Sequence, residues 1–237
     1  MFGELLGGAA VTAAGALAWG VRGKSSTLLG PSYWRGNSGR RALALTFDDG
    51  PSEKTPALLE VLAEHKAKAT FFQCGKSARR LPAIARQVAC QGHEIGNHTE
   101  THAGLYLRSS GFIFSELEYA QRSIQEATGI RPKLFRPPFG ARWFGLAAAQ
   151  ERLGLTCIMW TILARDWSLD TSGIVKRLKS ARPGSILCLH DGREGSSNQD
   201  VTPTVEAVRA LLPLWTAAGF EFLTVSELLS LPPAPAA

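Results

Sequence analysis

Two carboxylates stand side by side in the stretch "LALTFDDGPS", at Asp48 and Asp49, where an apolar run meets Gly50 and Pro51. Adjacent acids repel one another and draw the chain toward water, so a buried strand that ends on them needs a compensating partner, and a cation answers that need. Two histidines stand four apart in "HTETH", at His98 and His102. On a helical turn that spacing puts both imidazoles on one side, within reach of a single ion. Two imidazoles and one carboxylate leave open positions on a divalent metal, the arrangement of catalytic zinc and of non-haem iron. One acid then holds the ion, and its neighbour is left to take a proton from a water that the ion acidifies. An iron oxygenase has no use for such a spare base, so the combination points to hydrolysis. Taken singly, the acid pair is a turn cap and the histidine pair a surface feature; the chemistry lies in their company.

Such residues need rigid supports. Short apolar runs at 42–47, 69–73, 133–135, 156–160, 185–189 and 221–225 suit buried strands. Between them lie stretches with apolar residues at three and four spacing, such as Leu58, Leu59 and Leu62, then Phe114, Leu117 and Ile124. Gly92, Gly129, Gly154, Gly184 and Gly219 each fall between a helix and the next strand, where a left-handed cap is expected. Strand and helix in alternation predict a parallel α/β barrel or wound sheet, whose ligands sit at the carboxyl ends of the strands. Asp48 and Asp49 end the first strand, His98 follows "HEIGN", Arg136 ends "KLF", Asp166 comes shortly after "TCIMW" and His190 ends "SILCL". One rim thus receives a polar residue from each of several strands.

The chain's 237 residues and 45% hydrophobic content suit one globular domain. A formal charge of +6 favours anionic surfaces. The basic residues are scattered, with no stripe and no nucleic-acid motif, so DNA and RNA are not expected partners. The four cysteines have no zinc spacing, and three lie in apolar runs as reduced core residues. Between Glu4 and Arg22 run 17 residues without a charge. Three readings of this run stay open: an uncleaved membrane anchor through residues 5–21, a cleaved signal, or a helix packed on the domain. In the first case Arg22 and Lys24 would hold the rest of the chain on the cytoplasmic face. The expected organisation is an apolar segment at 1–24, a Ser/Gly/Pro-rich linker at 25–40, a catalytic domain at 41–230 and a frayed tail at 231–237.

In order, "TFDDGPS", "HTETH", "RPPFG", "RDW" and "LCLHDG" resemble the motifs of polysaccharide deacetylases with the NodB homology domain, carbohydrate esterase family 4. The resemblance spans about residues 40–230. It implies a distorted (β/α) barrel with parallel strands and outer helices, a bacterial cell-envelope setting, and removal of N-acetyl groups from GlcNAc-containing glycans such as peptidoglycan or chitin-like chains. Position by position it implies Asp48 as general base, with Asp49, His98 and His102 holding a divalent metal, zinc by default. His190 matches the general acid, Asp166 the carboxylate that orients it, and Arg136 the arginine beside the base. The backbone N–H of Phe139 matches an oxyanion donor, and Trp167 a groove residue; Trp143 and Trp160 are further candidates for sugar stacking or rim support.

Phe139 stands where many relatives carry Tyr, and Cys188 where the family usually has a Leu lining the acetyl pocket. Two other functions stay in view: a deacetylase or deformylase of a lipid-linked sugar, and a silent glycan-binding module. A silent relative is expected to have lost the base or a ligand, and here all of these residues are present. The sequence shows no heptad repeat that would fix an oligomeric state.

Overall fold

Strand β2 (Ala42–Asp48) alternates small and large side chains, and this alternation organises the molecule. Period two sends Leu43, Leu45 and Phe47 to one face, where they pack with Leu58, Leu59 and Leu62 of the helix Thr55–Glu64 and Leu211 of the helix Thr202–Ala217. The other face carries Ala42 and Ala44, packed with Phe72, Ile158 and Ile186, and then Thr46 and Asp48. Small residues there leave room in the centre of the barrel, and the same periodicity delivers a carboxylate to its top.

The computed structural model describes residues 12, 14–37, 39–193 and 200–231. Among them are the further strands β1 (Ser32–Tyr33), β3 (Ala69–Gln73), β4 (Glu94–Asn97), β5 (Leu134–Phe135), β6 (Thr156–Ile158), β7 (Ile162–Leu163), β8 (Ser185–His190) and β9 (Glu221–Phe222). They form one parallel sheet in the order β1-β6-β5-β4-β3-β2-β8-β7, with β9 beside the start of β2. After β1 the chain crosses to the far side of the sheet: Gly36 N–H donates to the Gly184 carbonyl at 2.8 Å, and Arg35 bridges Ser185. This strap draws the two ends of the sheet together and gives a distorted (β/α) barrel. Gly129 and Gly154 cap their helices as expected, at φ of 76° and 64°, which a Cβ would oppose, whereas Gly184, left-handed at φ of 80°, lies beyond the helix Thr171–Leu178, whose cap is Lys179.

Several local expectations are corrected. Ser32–Tyr33, inside the stretch read as a linker, is hydrogen-bonded to β6 as an edge strand. Two-residue strands such as β1 and β7 are too short to display a period. Residues 14–22 are helical, and the described residues contain no helix long and apolar enough to cross a membrane. The rest of the apolar run, residues 5–11 and 13, and the tail after residue 231 lie outside the described residues.

His93, just before β4, is buried against Phe71, and its Nδ1 accepts from Ala69 N–H. Burial, helped by Lys68, lowers its pKa to about 4. The unfolded chain therefore takes up a proton on this residue between about pH 6.5 and 4 that the folded chain refuses, and stability falls as pH is lowered through that window. His93→Gln is expected to flatten the slope of stability against pH there, as read by denaturant midpoints at successive pH values.

Candidate active site

The register of β2 and β8 pairs Asp48 directly with His190, and Thr46 with Cys188, so all four side chains share one face at the carboxyl ends of the two strands. Ligating atoms of Asp48, Cys188 and His190 lie within 4.8 Å of one another. Asp48 is buried, and its Oδ1 accepts from Arg136 Nη1 at 2.7 Å. Arg136, fully buried after β5, also donates to Thr46 Oγ1 and to the carbonyls of Ile158 and Met159, and it lies over the Phe72 ring at 4.2 Å. The guanidinium is thereby held by β2, by the Phe72 ring of β3 and by the end of β6.

Asp49 answers why two adjacent acids do not compete. Its backbone is left-handed, at φ of 73°, a conformation that Asp tolerates better than most residues. The strand ends there, and the second carboxylate turns away from the first. Asp49 Oδ1 lies 3.3 Å from His98 Nε2 and 3.2 Å from His102 Nε2. Gly50 follows because the Asp191 carboxylate sits where its Cβ would be.

The sequence reading put "HTETH" on a helical turn; it is a loop. Left-handed residues at Thr99 and His102 bend it so that both rings still converge, with centroids 5.1 Å apart. The side-chain oxygen of Asn97 accepts from Thr99 N–H, the Glu116 carboxylate accepts from Thr101 N–H, and the carbonyls of Thr99 and Glu100 accept from the first turn of the helix Gly75–Arg80. These bonds replace the ladder that a helix would have supplied.

His98 pairs its Nδ1 with the Arg136 carbonyl at 2.7 Å. A carbonyl only accepts, so the proton is on Nδ1, and in the neutral ring Nε2 presents a lone pair. Asp49 Oδ1 is buried with no hydrogen-bond donor, and it faces that lone pair and the His102 Nε2. Acceptors held this close need a cation between them. Donors about 2.0–2.1 Å from one ion in tetrahedral geometry stand about 3.3 Å apart, so the residues fit a small divalent metal. Burial favours a raised pKa at Asp49, but the imidazoles of His98, His190 and His102 around it prevail and lower it to about 2. Burial and the neighbouring His98 lower that of His102, which keeps it available as a neutral ligand.

Across the cleft, His190 Nδ1 is 2.7 Å from Asp166 Oδ1. The other Asp166 oxygen accepts from His190 N–H and from Thr204 Oγ1, and the Asp166 carbonyl accepts from Arg193. Burial works against the imidazolium, yet the charge and hydrogen bond of Asp166, with Asp49 and Asp48, raise the His190 pKa to about 9. The ring is thus protonated at neutral pH and turns Nε2 away from its carboxylate.

A cavity of about 560 Å³ opens over these groups, of a size that takes a sugar. Phe139, at φ of 58°, stands edge-on to His102 at its rim, and Trp167 stands edge-on to His190 at 5.3 Å. Trp160 lines the cavity, whereas Trp143 packs against Tyr106 and Phe144 beside it. Cys188 lines it too, and its thiol donates to Asp48 Oδ2 at 3.4 Å, a contact the sequence did not suggest. Burial, then the Asp48 charge, push that thiol far up, so it stays protonated. Sequence reasoning also missed Arg22 and Arg193 in the lining. Arg193, two residues past Asp191 in "LHDGR", was within sight of a motif; Arg22 carried no such signal.

The family profile described as polysaccharide deacetylase matches residues 35–158. A chitooligosaccharide deacetylase of Azorhizobium caulinodans is 37% identical over 189 residues, 76% of this chain and 90% of that protein. A peptidoglycan-N-acetylglucosamine deacetylase of Bacillus cereus is 35% identical over 207 residues, 83% of this chain and 92% of that protein. Among solved structures, a peptidoglycan N-acetylglucosamine deacetylase in complex with 4-naphthalen-1-yl-N-oxidanyl-benzamide superposes with a TM-score of 0.79 at 28% identity, covering 85% of this chain and 94% of that one. A carboxylate and two imidazoles converging at the top of the barrel, and a profile and relatives of this extent, place the chain in the polysaccharide deacetylase family, carbohydrate esterase family 4.

Proposed function

We propose that this chain is a metal-dependent hydrolase that removes N-acetyl groups from GlcNAc-containing glycans and releases acetate, working at the bacterial cell envelope. One observation carries the reading: the adjacent acids have different partners, Arg136 for Asp48 and two imidazoles for Asp49. Asp49, His98 and His102 would hold the ion, which we assign as zinc from its imidazole and carboxylate donors. When bound, it supplies a Lewis acid for the acetamide oxygen and lowers the pKa of water.

Asp48 removes the proton from the attacking water as the water oxygen bonds to the acetamide carbon. His190, protonated through Asp166, gives its proton to the amide nitrogen, so that the C–N bond breaks to an amine and acetate. Arg136 fixes the Asp48 carboxylate, and Thr204 and Arg193 fix Asp166. The Phe139 N–H stabilises the oxyanion, while Trp167 and Cys188 border the sugar and its acetyl methyl. The envelope setting rests on the relatives' names, and membrane association through residues 5–21 rests on the apolar run.

Acetate release from N-acetylglucosamine oligomers by the full chain is expected to vanish after chelation and to return with one equivalent of zinc. His102→Gln is expected to weaken zinc binding by about 10–100-fold or more by calorimetry, since even partners that only support a metal ligand are worth that much. A folded, zinc-loaded protein that releases no acetate refutes the reading.

A further inference from the structure

A second cavity, of about 670 Å³, adjoins the catalytic one, and Arg22, Trp160 and Leu163 belong to the walls of both. Arg22, Lys24 and Arg177 line it, with no carboxylate in its wall. They come from two separate stretches of chain, the end of the N-terminal helix with the turn that follows it, and the last turn of the helix Thr171–Leu178. A lysine and an arginine there are anchored by their polar ends: Lys24 Nζ donates to the Thr161 carbonyl at 2.6 Å, and Arg177 Nε donates to the Leu163 carbonyl. Among the described residues none of the three cations is ion-paired. Arg177 alone would be explained by the carbonyl end of its helix; that account does not reach Arg22 or Lys24.

The wall is built rather than incidental. Arg142, fully buried, donates to the carbonyls of Gly23 and Ser26 and to Ser32 Oγ, and its own N–H donates to the Val21 carbonyl. This latch holds the stretch that carries Arg22 and Lys24 against the barrel. Trp160, in the shared wall, contributes a large, half-buried aromatic side chain to both cavities.

We propose that the cavity bounded by Arg22, Lys24 and Arg177 is a subsite for an anionic group on the glycan, a carboxylate or phosphate carried by a sugar next to the one whose acetamide meets Asp48 and His190. The inference rests on the deacetylase reading and narrows its substrate to a charged glycan. Guanidinium groups bind carboxylate and phosphate through paired hydrogen bonds, which a neutral oligomer cannot offer.

The test compares three substrates of equal length with the zinc-loaded full chain: a neutral N-acetylglucosamine oligomer, one bearing lactyl ether carboxylates, and one ending in a phosphate. The double variant Arg22→Gln/Arg177→Gln, which changes two exposed side chains, is run beside it. The kcat/KM ratio of the anionic over the neutral oligomer is expected to exceed about ten, to shrink with salt, and to fall about tenfold in the variant. The anionic arm with the larger ratio identifies the group. Equal kcat/KM for all three substrates, unaltered by the variant, overturns the proposal while leaving deacetylation intact. Calorimetric binding of the same oligomers to chelated protein gives a second readout. Selective binding lost in the variant, without acetate release from any substrate, sustains the subsite and removes the deacetylase reading instead.

Discussion

Asp48→Asn lowers the rate of acetate release by about 10²–10⁴-fold, the usual scale for a positioned general base. The substitution keeps the size of the side chain and removes only its capacity to take a proton. Asp49, His98 and His102 are untouched, so metal content measured on the purified variant is expected to match that of the parent. Arg136 and the Cys188 thiol both donate toward Asp48, and an amide can satisfy only one of them with its oxygen. Some loss of stability therefore accompanies the change, and rates are to be compared per folded molecule. Near-normal turnover would take the base assignment away from Asp48 and return the adjacent acids to a structural pair.

Arg136→Met is expected to cost about 3–5 kcal/mol of folding stability, because the buried Asp48 carboxylate is left without its counter-charge. The Met chain preserves bulk over Phe72 but offers no donor to Thr46, Asp48 or the carbonyls of Ile158 and Met159. Against the roughly 5–15 kcal/mol that holds a typical domain together, this is a large share. Denaturant midpoints measure it, at unchanged slope. Combining Arg136→Met with Asp48→Asn is expected to recover part of the loss, since no lone charge then stays buried. Strictly additive losses would mean that the ion pair itself contributes nothing.

Much of the site was legible because strand periodicity and residue chemistry agree. "ALALTFD" and "SILCLH" alternate, so the ends of β2 and β8 present Asp48 and His190 on a common face, and the register then pairs them. The loop of His98 to His102 was misread because spacing of four is equally served by two left-handed residues, and the loop is supported by the neighbouring Asn97 side chain and by Glu116, a distant partner that spacing does not reveal. The fixed position of residues 21–32 was hidden for a related reason. Arg142 binds that stretch through the backbone carbonyls of Gly23 and Ser26, a group every residue carries, and adds only Ser32 Oγ, so its side chains gave little sign of the attachment. The Cys188 thiol on Asp48 likewise depends on which face of β8 adjoins β2.

The latch at Arg142 also decides where the chain leaves the barrel. Residues 14–22 rise as a helix that ends on Arg22, in the wall of the cleft, and at about 1.5 Å per residue their far end is within about 12 Å of it. The exit is thus at the working mouth and not at the opposite pole.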